Sequence, residues 1–267
     1  MRRVRAARRG AALAIALVTA VVLALPLLAG ADPLDQDLSL SLAGPSAAHP
    51  FGTDQFGRDI AARLAEGTGR SYRAALAVVA ASILVGLVIG AAATALPRGP
   101  RWAIDRAIDV FLGLPGIVVA LAVVGVLGPG QRNLVIALIV GVWPWYARLA
   151  REHTATLLRE PFVDAARIAG SSRWRIWHGH LLPHLVRRLA IIGALDVGYT
   201  IVAFAGLSYL GLGIQQPEPD LGTMLREGQD FFLNAPWLLI GPSGAIALIV
   251  LPFVIAGERG HARGIGL

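Results

Sequence analysis

The chain has 267 residues, 55% of them hydrophobic and 15% charged, with a mean hydropathy of +0.64; a soluble domain carries about a quarter charged residues. That balance excludes an ordinary soluble domain and points to lipid as the solvent, so runs of about 20 apolar residues are the first thing to seek. The net charge of +7 comes wholly from Arg, and because those residues sit between apolar runs they read as topology signals and contacts to membrane lipid, with no nucleic acid as a partner.

The first uncharged run, 11–30, follows Arg2, Arg3, Arg5, Arg8 and Arg9. Its length suits a retained first helix, although the small-residue pattern Ala29-Gly30-Ala31 also fits signal-peptide cleavage. Residues 31–73 are too charged to span and read as an extracytoplasmic segment with short helical or irregular stretches. A second span covers 74–96. A short loop with Pro97, Gly99, Pro100, Arg98, Arg101 and Arg106 leads to a third near 107–128, whose Pro115 and Gly116 are tolerable because neighbouring helices can satisfy the freed backbone groups. After the turn at Pro129-Gly130 a fourth span runs over 133–147 and closes on Trp143, Trp145 and Tyr146 as an interfacial aromatic anchor.

The longest basic loop, 148–188, comes next. A fifth span over 189–214, a turn-rich acidic loop over 215–234, a sixth span over 235–256 and a tail over 257–267 complete the chain. The fold class is therefore an all-α membrane protein with about six transmembrane helices. Its parts are 1–30 (first helix), 31–73 (extracytoplasmic), 74–256 (a five-helix core that includes the 148–188 loop) and 257–267 (tail). With the amino terminus inside, 18 of the 24 Arg residues fall in inside segments. Short, positively charged loops resist translocation, so a multi-pass protein of the cell membrane with both termini in the cytoplasm is expected.

Within the basic loop, Glu160-Pro161-Phe162-Val163-Asp164-Ala165-Ala166-Arg167-Ile168-Ala169-Gly170 is followed by Ser171-Ser172-Arg173-Trp174 and ends in His180-Leu181-Leu182-Pro183. The spacing predicts two short helices with a hinge. Pro161 suits a first helical position, Gly170 a left-handed terminator, and Ser171 or Ser172 a cap for the second helix. Phe162, Ala165, Ala166 and Ala169 form a small-residue face that lets another protein's backbone approach closely. The second helix places Trp174, Trp177 and Leu181 on one side and Arg175 on another, as an interfacial helix would.

These residues resemble the permeases of binding-protein-dependent ABC importers, whose cytoplasmic hallmark reads E-A-A, three residues, G, and later a hydrophobic-x-L-P ending. Asp164, Ala165, Ala166, Gly170, Leu182 and Pro183 fall at those spacings, with Asp in place of Glu and His180 at the hydrophobic position. The resemblance implies that this loop, with Arg173 and Trp174, forms the coupling helix that docks on an ATPase subunit. His49-Pro50-Phe51-Gly52-Thr53-Asp54-Gln55-Phe56-Gly57-Arg58-Asp59 is similar to a signature of the dipeptide, oligopeptide and nickel branch. From it, an extracytoplasmic network of Asp54, Arg58 and Asp59, beside Gly52, Thr53 and Gly57, is expected near a binding-protein docking surface. Leu207-Ser208-Tyr209-Leu210-Gly211-Leu212-Gly213 resembles that branch too. Two departures are Phe204, where the family usually has an acidic residue, and the tail, which lacks the branch's usual ending.

What the resemblance implies is half of a translocation pathway for dipeptides or oligopeptides, with nickel chelates or haem as alternatives. The partners it implies are a second homologous permease, two ATP-binding subunits that bind ATP and Mg, and an extracytoplasmic solute-binding protein. The chain itself is expected to carry no cofactor and no enzyme activity. A P-loop needs a Lys, and this chain has none, so hydrolysis must come from a partner. The absence of Cys also excludes disulfides and thiolate-bound metal.

Three further features have competing readings. His178, His180 and His184 could bind metal, but Pro183 interrupts their spacing and they read as interface residues of the loop. Asp109 lies within reach of Arg106, which fits a structural ion pair. Asp196, two turns into the fifth span, could face the pathway with Phe204 and Ser208 or hydrogen-bond another helix. No protease-like arrangement is evident, which leaves an intramembrane enzyme or a homo-oligomeric channel as remote alternatives.

Overall fold

The computed structural model describes residues 15–22, 24–25 and 32–261. The Arg-rich amino terminus, much of the 11–30 run with its Ala29-Gly30-Ala31 pattern, and the tail from Ala262 onward lie outside the described residues; within that run, residues 15–22, 24 and 25 are helical. The helices are α1 (Ile60–Ala95), α2 (Arg98–Leu112), α3 (Gly116–Leu127), α4 (Gln131–Leu157), α5 (Pro161–Ile168), α6 (Arg173–Ile176), α7 (Leu182–Tyr209), α8 (Leu221–Gly228) and α9 (Trp237–His261). Extended pairing among the described residues is limited to one bridge, between Thr53 and Asp59.

Among the described residues, four helical runs are long and apolar enough to cross a membrane: Ile60–Ala95, Gln131–Leu157, Arg173–Tyr209 and Trp237–Ala256. α2 and α3 make a fifth span only if a pair bent by 94° is counted as one. The third span expected over 107–128 is therefore broken. Pro115 has no N–H and disfavours a helical conformation at the residue before it, so α2 stops at Leu112 and α3 restarts at Gly116. The short loop expected around Arg98 is in fact the start of α2.

α1 also begins earlier than the apolar run does, at Ile60. Charges in its first turns do not end it because they are paired. Arg63 meets Glu227 at 3.0 Å, while Arg70 binds Glu66 at 2.6 Å and also Glu218. Asp59 caps the helix by accepting from the Ala62 N–H at 2.9 Å. At 36 residues, α1 is about 54 Å long, well beyond a hydrocarbon core of about 30 Å.

The chain divides into two compact units, one of residues 1–76, 124–135 and 195–267 and the other of residues 77–123 and 136–194. The first unit buries Ile60, Tyr72, Ile201, Phe204, Leu221 and Phe253, and the Tyr72 and Phe253 rings are 6.4 Å apart. The second is built around Leu87, Tyr146, Ala150, Leu185, Leu189 and Ile192. Tyr146 is thus a core residue rather than part of an interfacial belt. α4 continues past it to Leu157, and Trp143 packs edge-on against Phe111 at 5.6 Å.

Candidate functional site

The 148–188 loop folds as the hinged pair its sequence predicts. Pro161 opens α5, with Glu160 in extended conformation before it. The helix ends in a left-handed turn at Gly170, whose φ is 78°. There the Ser171 N–H donates to the Ala166 carbonyl and the Gly170 N–H to the Arg167 carbonyl, both at 3.0 Å. That hydrogen-bond pair is the Schellman termination, which glycine enters without steric cost. Ser172, rather than Ser171, caps α6 by accepting from the Arg175 N–H at 3.3 Å.

The hinge is closed by a small core of Val163, Ile176 and Leu181, flanked by Leu157, Leu158, Ala166 and Trp177. Ala166 therefore turns partly inward, whereas Ala165 and Ala169 are exposed. Asp164 pairs with Arg167 at 2.9 Å on the solvent side. Arg173 is exposed too, and of Leu182 and Pro183, the first two residues of α7, only Leu182 is partly buried. Two large apolar side chains stand out in this loop, Ile168 at 88% and Trp174 at 72% exposure. The expected stripe of Trp174, Trp177 and Leu181 is not formed. Residues 177–181 make a wider, π-helical turn, which shifts the helical phase so that Ile176 and Leu181, five apart, share the buried side. Trp174 instead lies over His178, ring centres 3.6 Å apart.

The three His residues do not converge on one point. Phe162 lies 6.1 Å from the His180 ring and 6.0 Å from that of His184. Among the described residues, no group of three His, Cys, Asp or Glu could hold a metal ion.

Before α1, residues 49–59 form a tight turn that buries charge. Asp54 accepts from the Phe56 and Arg58 N–H groups at 2.8 and 3.0 Å and binds the Arg58 guanidinium at 2.6 Å. Arg58 reaches Glu227 at 3.3 Å and stacks over Phe56 at 4.7 Å, and Arg63 lies 3.5 Å from Asp54. Asp54, Arg58 and Arg63 are at most 2% exposed. Asp59 stands apart from this knot: besides capping α1 it pairs with His49 at 2.7 Å. Gly57 is required twice over, by a φ of 71° and because a Cβ there would meet the Asp37 carbonyl at 1.7 Å. Gly52, also at positive φ, lies against Trp237, whose indole N–H donates to the Thr53 carbonyl at 3.1 Å. The knot partners Arg63 and Glu227 carry no sequence signal, since 164 residues separate them.

Phe204 and Ser208 are fully buried within the chain. Asp196 is partly buried. Asp109 pairs with both Arg106 and Arg148.

Asp220, the cap of α8, was not singled out by the sequence. It is buried, accepts from Ser71 Oγ at 2.6 Å and from the Thr223 N–H at 3.3 Å, and burial pushes its carboxyl above the ordinary range. The sign follows from linkage. A group whose folded pKa is raised stabilises the fold fully below its unfolded pKa of about 3.9, and this contribution is lost as pH rises through the folded value. Asp220→Asn keeps the cap and should flatten that part of the thermal-stability profile in detergent. An unchanged slope above pH 4 would show that Asp220 titrates normally.

The described residues define a class of protein: a polytopic helical membrane protein with a hinged helix pair in its longest basic loop. The family model of the binding-protein-dependent transport system inner membrane component matches residues 82–262, and this chain belongs to that family. It is thus a permease component of an ABC importer, a class that works with an ATPase and a solute-binding protein and is not itself an enzyme. It is 36% identical to the dipeptide transport system permease protein DppC of Alkalihalophilus pseudofirmus over 87% of this chain and 77% of that one. Identity to the probable D,D-dipeptide permease DdpC of Escherichia coli K12 is 34% over 92% of this chain and 83% of that one. For the nickel permease NikC of the same strain it is 33% over 85% and 82%. The fold matches a chain of the inward-facing MetNI methionine ABC transporter with a TM-score of 0.57 at 18% identity, over 76% of this chain and 96% of that chain.

Proposed function

We propose that this permease forms half of a translocation pathway for dipeptides or oligopeptides, paired with a second homologous permease and driven by two ATP-binding subunits that hold ATP and Mg. The observation that carries the coupling role is the Schellman turn at Gly170, which presents α5 and the exposed Ile168 and Trp174 as a rigid apolar docking element. ATP binding closes the ATPase dimer and draws α5 with it, turning the solute cavity from inward to outward facing. An extracytoplasmic binding protein, docking near the 49–59 turn, then releases solute into it. The peptide relatives support this cargo, and the similarity to NikC makes nickel chelates the second reading. The Arg distribution supports cytoplasmic termini.

A tag fused after Leu267 tests the reading. It should copurify one further permease and two ATPase chains, and in right-side-out vesicles it should resist protease. Vesicles loaded with ATP should take up labelled dipeptide in preference to nickel. Purification of the chain alone or as a homo-oligomer, with no ATP-dependent uptake, would favour a channel instead.

A further inference from the structure

Two observations, both within the second compact unit, concern the stem of the 148–188 loop. α4 runs through Arg148 and Arg151 and reaches Pro161 after only three further residues. On α2, Asp105 and Asp109 are one turn apart. Asp105 binds Arg151 at 2.5 Å and lies 3.9 Å from Arg101, while Asp109 is held by Arg148 and Arg106. Each carboxylate is thus shared between a guanidinium of its own helix and one from α4. The rungs continue in the same antiparallel order. Phe111 meets Trp143 at 5.6 Å, and beyond the bend the Gly116 carbonyl lies 2.9 Å from the Cβ position of Gly141. The 94° break at residues 113–115 is therefore fastened to α4 on both sides, by charge on the α2 side and by backbone contact on the α3 side.

We propose that Asp105 and Asp109 are positioning residues which, with Arg148 and Arg151, tie the α2–α3 bend to the stem of the coupling loop, so that the bend angle changes with the ATPase cycle. This rests on the coupling role proposed above for the loop. A bend without such a tie would follow only its own local energetics. With the ladder, displacement of α5 is transmitted along α4 to α2, and the Gly113-Leu114-Pro115 break absorbs the rotation. Each interhelical contact is a charge-assisted hydrogen bond, from Arg151 to Asp105 and from Arg148 to Asp109, a class shorter and stronger than neutral hydrogen bonds. The side chains are only partly exposed, at 25% for Asp105 and 26% for Arg151, so solvent screens them incompletely.

The native chain has no Cys, so Trp102→Cys and Val118→Cys, at exposed positions on either side of the bend, accept spin labels cleanly. In the assembled transporter, the distance between the labels should differ between nucleotide-free and ATP-trapped states. Arg151→Asp should abolish that difference and lower ATP hydrolysis stimulated by loaded binding protein about tenfold, the scale of coupling expected for a contacting pair. Basal hydrolysis and ATPase retention should remain. The exchange Asp105→Arg with Arg151→Asp should restore both readouts. If a reversal prevents assembly, Asp105→Asn and Arg151→Gln should show the same loss in smaller degree. A distance change that persists in Arg151→Asp, or an exchange that restores neither readout, overturns the proposal. Gly170→Val separates the two readings. If only the ladder is wrong, that variant still uncouples transport; if the loop does not couple at all, it is silent as well.

Discussion

Gly170→Val should leave the membrane helices and pairing with the second permease intact while ATPase retention, or stimulation of hydrolysis by loaded binding protein, falls at least about tenfold. Nothing lies within 4 Å of the Cβ position at Gly170, and φ is +78°. The cost is therefore purely conformational. A left-handed residue with a Cβ costs about 1–2 kcal/mol, and a β-branched one is a genuine outlier, so the two hydrogen bonds that end α5 are lost and its angle to α6 is released. Gly170→Asn, whose side chain tolerates that region, should stay near wild type, which separates a backbone effect from mere substitution. Ala165→Trp tests the docking face itself, because Ala165 points outward while Ala166 belongs to the hinge core. Retention and uptake at wild-type level in both Gly170→Val and Ala165→Trp would remove the case for coupling through this loop.

The second large effect is expected at the buried charge knot. Arg58→Ala leaves Asp54, a side chain only 3% exposed, without the guanidinium held at 2.6 Å. Removing one member of a buried pair costs about 3–5 kcal/mol, chiefly the penalty of the abandoned charge. Arg63→Ala should also destabilise, because it leaves Glu227, whose side chain is 7% exposed, with only the longer 3.3 Å contact from Arg58. The thermal midpoint in detergent and the level of membrane-inserted protein report both losses. Arg63→Ala combined with Glu227→Gln should recover much of the loss of Arg63→Ala, because no unpaired charge then remains. If Arg58→Ala unfolds at the wild-type temperature, the knot is not a stability element.

The membrane class, the long apolar helices and the hinged loop were legible because each depends on local chemistry. Pro161, Gly170 and Ser172 act within four residues of themselves, and an apolar run declares its solvent without reference to anything else. The misses share a different cause. Whether Pro115 only kinks a helix or turns it through 94° depends on what α2 can bind, and its anchors, Arg148 and Arg151, are some 40 residues away. α1 starts at Ile60 with Arg63 and Arg70 neutralised in part by Glu227 and Glu218, far along the chain. The π-helical turn was invisible because no residue type demands it; the need to bury both Ile176 and Leu181 against Val163 selects it.

That turn has a geometric consequence for the whole docking element. A π turn holds one more residue than an α turn, so the chain between Trp177 and Leu181 works as a vernier that sets the compass bearing of α5 and α6 about the axis of α7. Removing one residue from it would restore ordinary winding and swing the apolar tip formed by Ile168 and Trp174 by about 100°. Chemistry, charge and helix content would be almost unchanged, yet the tip would face away from the ATPase subunit on which the proposed coupling relies. In this part of the chain, residue count carries information that residue identity does not.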